Sequence, residues 1–74
     1  MIEDRVVSLL SDILDIEKDE LLNRKAEKGV WDSLQRVEIV LALESEFDVM
    51  LEGEEIASLL TINNIVELLE KKVD

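Results

Sequence analysis

The chain has no cysteine, histidine, proline or tyrosine, and each absence removes a class of structure or chemistry. Without cysteine there is no disulfide, and without cysteine or histidine there is neither thiolate nor imidazole to hold a metal. The usual nucleophile and base pairings go with them, so the bare chain offers no nucleophile, base and orienting group for catalysis. With no proline, 3% aromatic residues and no alternating strand pattern, helices remain as the building elements. Long apolar runs are missing too, which rules out a membrane span, and the opening residues lack a basic region followed by an apolar stretch. A soluble, cytoplasmic protein is the expectation.

Positive charge is scarce. Eight Lys and Arg stand against nineteen Asp and Glu, a net charge of -11 in 74 residues. That balance argues against nucleic acid, whose binding needs clustered cations to displace counterions, and favours a basic protein partner. The acid is unevenly placed: no Lys or Arg lies between positions 37 and 69, while Glu38, Glu44, Glu46, Asp48, Glu52, Glu54, Glu55 and Glu67 all do. Such a run either solvates helix faces or forms a recognition surface. A calcium loop beginning at Asp15, Glu17 and Asp19 fails, because Glu20 stands where glycine is needed and Ala26 where a closing glutamate belongs.

Apolar spacing supplies the elements of a single domain. Ile2, Val6, Leu9, Leu10, Ile13 and Ile16 recur at helical intervals, predicting a helix over about 2–16 that ends near the charged run at 17–20. Positions 21–31 read as an ordered connection, with room for a short turn of helix, and its length suits a functional loop. A second helix is expected over 32–47 with Asp32 as its N-cap. A short third helix over 54–60 turns Ile56, Leu59 and Leu60 inward. Thr61 caps a last helix over 62–72 that buries Ile62, Ile65, Leu68 and Leu69, although Asn64 stands where a capping box calls for Glu or Gln. The whole is a small all-α bundle, expected to be monomeric.

The second helix carries the functional signal. Asp32-Ser33-Leu34 opens it, so the Ser33 hydroxyl sits where free backbone N–H groups and the positive dipole end favour a phosphate. At about 100° per residue, Ile39, Val40, Leu43 and Phe47 form one apolar arc, the natural core face. Leu34, Val37 and Leu41 form a second, beside Ser33 and rimmed by Glu38 and Glu44. Either both arcs are buried, because the helix is central, or the second is a docking strip.

Asp32-Ser33-Leu34, Val37-Glu38-Ile39, Leu43-Glu44-Ser45-Glu46-Phe47, Val49, Leu51 and Thr61-Ile62 together resemble the acyl carrier proteins over nearly the whole chain. The resemblance implies a four-helix bundle with a long first loop and a short third helix. It also implies a 4'-phosphopantetheine arm from coenzyme A, joined to Ser33 by a phosphopantetheinyl transferase, with Asp32 helping to place the site. The protein would then be no enzyme, but a carrier of acyl or aminoacyl thioesters to partner enzymes with basic docking surfaces. By position, Glu38, Glu44, Glu54 and Glu55 would supply charge to those partners, and Leu34, Val37 and Leu41 apolar contact. Trp31 before Asp32-Ser33-Leu34 is similar to stand-alone carriers of specialised pathways. Trp31 itself reads first as an anchor for the long loop. Arg36 stands where the family often has Thr or Ser; its stem can pack on apolar surface while its head stays wet. An alternative from the residues alone is an acidic interaction module without a prosthetic group, whose acidic face binds a basic partner and in which Ser33 is only a cap.

Overall fold

Val6, Val7 and Leu10 fall on one side of the first helix, and their burial decides how it lies: α1 (Ile2–Leu14) packs this stripe against the rest of the chain. The computed structural model describes residues 2–73. Helix α1 stops two residues earlier than its apolar spacing suggests. Asp15 adopts a left-handed conformation (φ 57°), a state its short polar side chain tolerates, and its N–H donates to the Ser11 carbonyl at 3.0 Å. The Ser11 hydroxyl then donates to the Ile16 carbonyl at 2.7 Å, turning the chain.

Instead of ending structure, the charged run at 17–20 begins a short helix, α2 (Lys18–Asn23). It forms because Leu21 has a core position to fill: its side chain is fully buried, while Asp19 and Glu20 lie in the first turn, favoured by the helix dipole. Arg24 closes this segment by bonding Glu20 at 3.1 Å and Glu27 at 2.6 Å. Further along, the Lys25 ammonium meets Glu3 at 2.9 Å, and the Lys25 carbonyl accepts the Asn63 N–H at 3.0 Å. One stretch of loop is thereby fixed to both the first and the last helix.

Helix α3 (Ser33–Phe47) buries Ile39, Val40, Leu43 and Phe47, the arc expected from spacing. It ends at Asp48, also left-handed (φ 53°), where the N–H groups of Asp48 and Val49 both return to the Glu44 carbonyl. Arg5 clasps this end from α1. Its guanidinium donates to the Glu46 carbonyl (3.1 Å) and carboxylate (3.0 Å), and lies 4.4 Å from the Phe47 ring centroid.

Helix α4 (Gly53–Ala57) is shorter than expected, with Leu59 buried just beyond it. Leu60 does not turn inward; it is 43% exposed, because the helix ends before a further turn can carry it to the core side. Glu55 ties α4 down, accepting the Glu52 N–H at 2.8 Å and pairing with Lys72 of α5 (Ile62–Lys72) at 3.0 Å. Those two bonds, the backbone one foremost, hold its carboxyl below the usual range. In α5, Ile62, Ile65 and Leu69 are buried, and Leu68 is half-buried. Its cap is complete after all. Asn64 Oδ1 accepts the Thr61 N–H at 3.0 Å while Thr61 Oγ1 accepts the Asn64 N–H at 3.1 Å, so the shorter amide closes the reciprocal pair. The all-α class stands: the described residues form five helices and no strand, α2 being the one beyond the four expected.

Candidate functional site

The start of α3 is set by a two-way exchange between Asp32 and Gln35. Asp32 is extended (φ -92°, ψ -177°), its Oδ1 accepts the Gln35 N–H at 2.7 Å, and Gln35 Oε1 accepts the Asp32 N–H at 3.1 Å. The Asp32 carbonyl takes the Arg36 N–H at 2.9 Å, which completes the first turn. Ser33 is therefore the first residue of the helix, exposed, and among the described residues no hydrogen bond engages its hydroxyl. The N–H groups of Ser33 and Leu34 have no intrahelical acceptor, as in any helix start. A free hydroxyl thus stands beside free donors at the electropositive end of a 15-residue helix.

A cleft of about 310 Å³ opens next to that hydroxyl, lined by Gly29, Trp31, Asp32, Ser33, Arg36, Leu59 and Leu60. Gly29 makes the turn into it with φ 80°, which a side chain would strain. Val30 is buried and Trp31 packs half-buried against the core, so the loop reaches Asp32 from an anchored position. Leu60 belongs to this cleft, not to the core, and sequence spacing missed that. Gln35 was missed as well; an Asp followed three residues later by Gln was the readable signal.

On the outer side of α3, Leu34, Val37 and Leu41 are 73%, 55% and 62% exposed. The second apolar arc is therefore uncovered. Of the four acids marked for recognition, Glu38 and Glu54 are exposed and make no ion pair among the described residues. Glu44 and Glu55 have internal work: Glu44 Oε2 accepts the Leu51 N–H at 2.9 Å, fixing the turn after α3, and Glu55 holds α4 to α5.

Known proteins are similar to this chain over nearly its whole length. The acyl carrier protein of Buchnera aphidicola subsp. Acyrthosiphon pisum (strain Tuc7) is 32% identical over 96% of this chain and 91% of its own length. That of Petrotoga mobilis is 34% identical over 96% of this chain and 86% of its own. The chain belongs to the acyl carrier protein family. No family model matches it. Acyl carrier proteins are carriers and not catalysts. Membership implies a phosphopantetheine group. The residues present fit such a group: an unengaged hydroxyl to bear it, free N–H donors for a phosphate, and an adjoining cleft with apolar and cationic walls. No helix among the described residues is long and apolar enough to cross a membrane.

Because the cap fixes where Ser33 sits, Asp32 can be tested separately from it. Asp32→Ala is expected to lower stability by about 1 kcal/mol, the usual cost of a lost N-cap, and Asp32→Asn to restore most of it. Urea denaturation of the three proteins checks this. Should Asn recover stability but not attachment of the prosthetic group, Asp32 also acts in placing the site for its modifying enzyme.

Proposed function

We propose that the chain carries an acyl or aminoacyl group as a thioester on a 4'-phosphopantetheine arm attached to Ser33, and presents it to partner enzymes. The observation that carries this reading is the exposed, unengaged Ser33 hydroxyl at the first position of α3. In attachment, Ser33 Oγ forms the new bond to phosphorus and gives up its proton, while the phosphoanhydride of coenzyme A breaks and the adenosine bisphosphate half leaves. A phosphopantetheinyl transferase supplies that chemistry. The arm brings the thiol that the chain's own sequence lacks. Tethering raises the effective concentration of cargo at each partner active site.

Trp31 ahead of Asp32-Ser33-Leu34 supports a specialised biosynthetic pathway, and Arg36 at the cleft wall disfavours deep burial of a long acyl chain. Leu34, Val37 and Leu41 form the apolar contact strip for partners. Glu38 and Glu54 supply free charge, and Glu44 and Glu55 add to the same negative field while serving the fold.

The deciding experiment is intact-mass measurement after incubation with coenzyme A, magnesium and a broad-specificity phosphopantetheinyl transferase. A gain of one phosphopantetheinyl group is the expected result. An unchanged mass beside a carrier that is modified in the same tube would favour the acidic interaction module.

Docking is tested on the strip. Leu34→Glu is expected to leave the melting temperature within error, since the side chain is already exposed, and to cut transfer to a basic partner enzyme about tenfold or more, as for loss of an apolar anchor. Glu38→Lys should instead slow association and flatten its salt dependence. Transfer rates across a salt series, with Leu34→Glu behaving as wild type, would remove the strip from the interface.

A further inference from the structure

Arg36 stands in an electrostatically unfavourable place. It puts a cation in the first turn of α3, where the helix dipole disfavours positive charge, and it is the one Lys or Arg between positions 29 and 70. Arg5, Arg24, Lys25 and Lys72 are all ion-paired. Among the described residues, Arg36, Lys18, Lys28 and Lys71 make no ion pair, and of these Arg36 alone is half-buried. Glu38, the nearest acid in sequence, stands two residues on, a spacing that does not face Arg36 on a helix, and Asp32, one turn back, directs its Oδ1 to the Gln35 N–H. Among the described residues no hydrogen bond or ion pair engages the guanidinium.

Its location supplies the use. Arg36 follows Ser33 by three residues, a spacing that puts two side chains side by side on a helix, and both line the cleft with Trp31 and Leu59-Leu60. We infer that Arg36 is the counterion of the phosphodiester borne by Ser33, and that it positions the arm along the cleft between Trp31 and Leu60. This rests on Ser33 being the attachment point. Two charge-assisted donors on a planar fork suit a phosphodiester oxygen pair better than a single ammonium does. Before modification the cation is unfavourable where it stands; after modification it is matched. Arg36 is thus a positioning residue, and its effect belongs to the modified protein alone.

The test compares wild type, Arg36→Gln and Arg36→Lys, each before and after exhaustive modification verified by intact mass. Phosphopantetheinylation should change the melting temperature of wild type more favourably than that of Arg36→Gln by about 2–4 °C, with Arg36→Lys between them, and the gap should shrink in high salt. The phosphodiester resonance in phosphorus NMR should also move between wild type and Arg36→Gln, a signal that a purely structural role would leave in place. Equal melting shifts and coincident resonances would overturn the inference while leaving the carrier reading intact. A wild-type chain that gains no mass would overturn both.

Discussion

Ser33→Ala is expected to gain no phosphopantetheinyl group under conditions that modify wild type completely, and to melt at the same temperature as the unmodified parent. The chain has five serines, and only one combines the features that the proposed attachment needs. Ser11 and Ser58 spend their hydroxyls on backbone carbonyls, of Ile16 and Glu55, each at 2.7 Å. Ser8 is half-buried in the groove between α1 and α3, and Ser45 lies two residues from the end of α3, near the negative end of the dipole. Ser33 alone joins exposure, a free hydroxyl and a helix start. Removing its oxygen leaves the Asp32–Gln35 cap untouched, so stability should change by less than about 0.5 kcal/mol. Intact mass and a thermal melt on the same sample check both halves. Modification persisting in the alanine variant would place the arm elsewhere and remove Ser33 from the site.

Leu21→Ala is expected to destabilise the fold by about 2–5 kcal/mol, the range for truncating a fully buried leucine. Chains of this size have about 4–11 kcal/mol in all, so the loss would be a large part of the whole. At about 4–8 °C per kcal/mol, a fall of about 8 °C or more in melting temperature follows. Its neighbour is the control: Leu22 is 41% exposed, and Leu22→Ala should stay within about 0.5 kcal/mol. The contrast between adjacent leucines is a direct test of how α2 docks. A Leu21→Ala protein as stable as Leu22→Ala would mean that α2 does not pack where it is described.

The same pair shows why apolar spacing does not reveal α2. Six residues give less than two turns, too few for a periodic pattern, and Glu17 to Glu20 read as a solvated break. Only the vacancy that α1 and its neighbours leave for one leucine makes a helix there. Asn64 and Leu60 depart from the expectation for a related reason: whether a side chain closes a cap or reaches a core depends on where the backbone stops, by a residue or two. The start of α3 was legible by contrast, since Asp32 and Ser33 act through local backbone geometry. Gln35 was equally local, and its reciprocal bond was there to be read.

Sequence by itself determined the all-helical class, the acidic character, the core arc of Ile39, Val40, Leu43 and Phe47, and a serine at a helix mouth, because each depends on composition or on contacts within one or two turns. Tertiary structure alone decided that Leu34, Val37 and Leu41 stay uncovered, that Leu21 is core, that Glu44 and Glu55 serve the fold, and that Arg36 shares a cleft with Ser33. Periodicity gives the direction in which a side chain leaves its helix. What it meets there is fixed by the other helices and the loops between them, and those positions are settled only when the whole core closes.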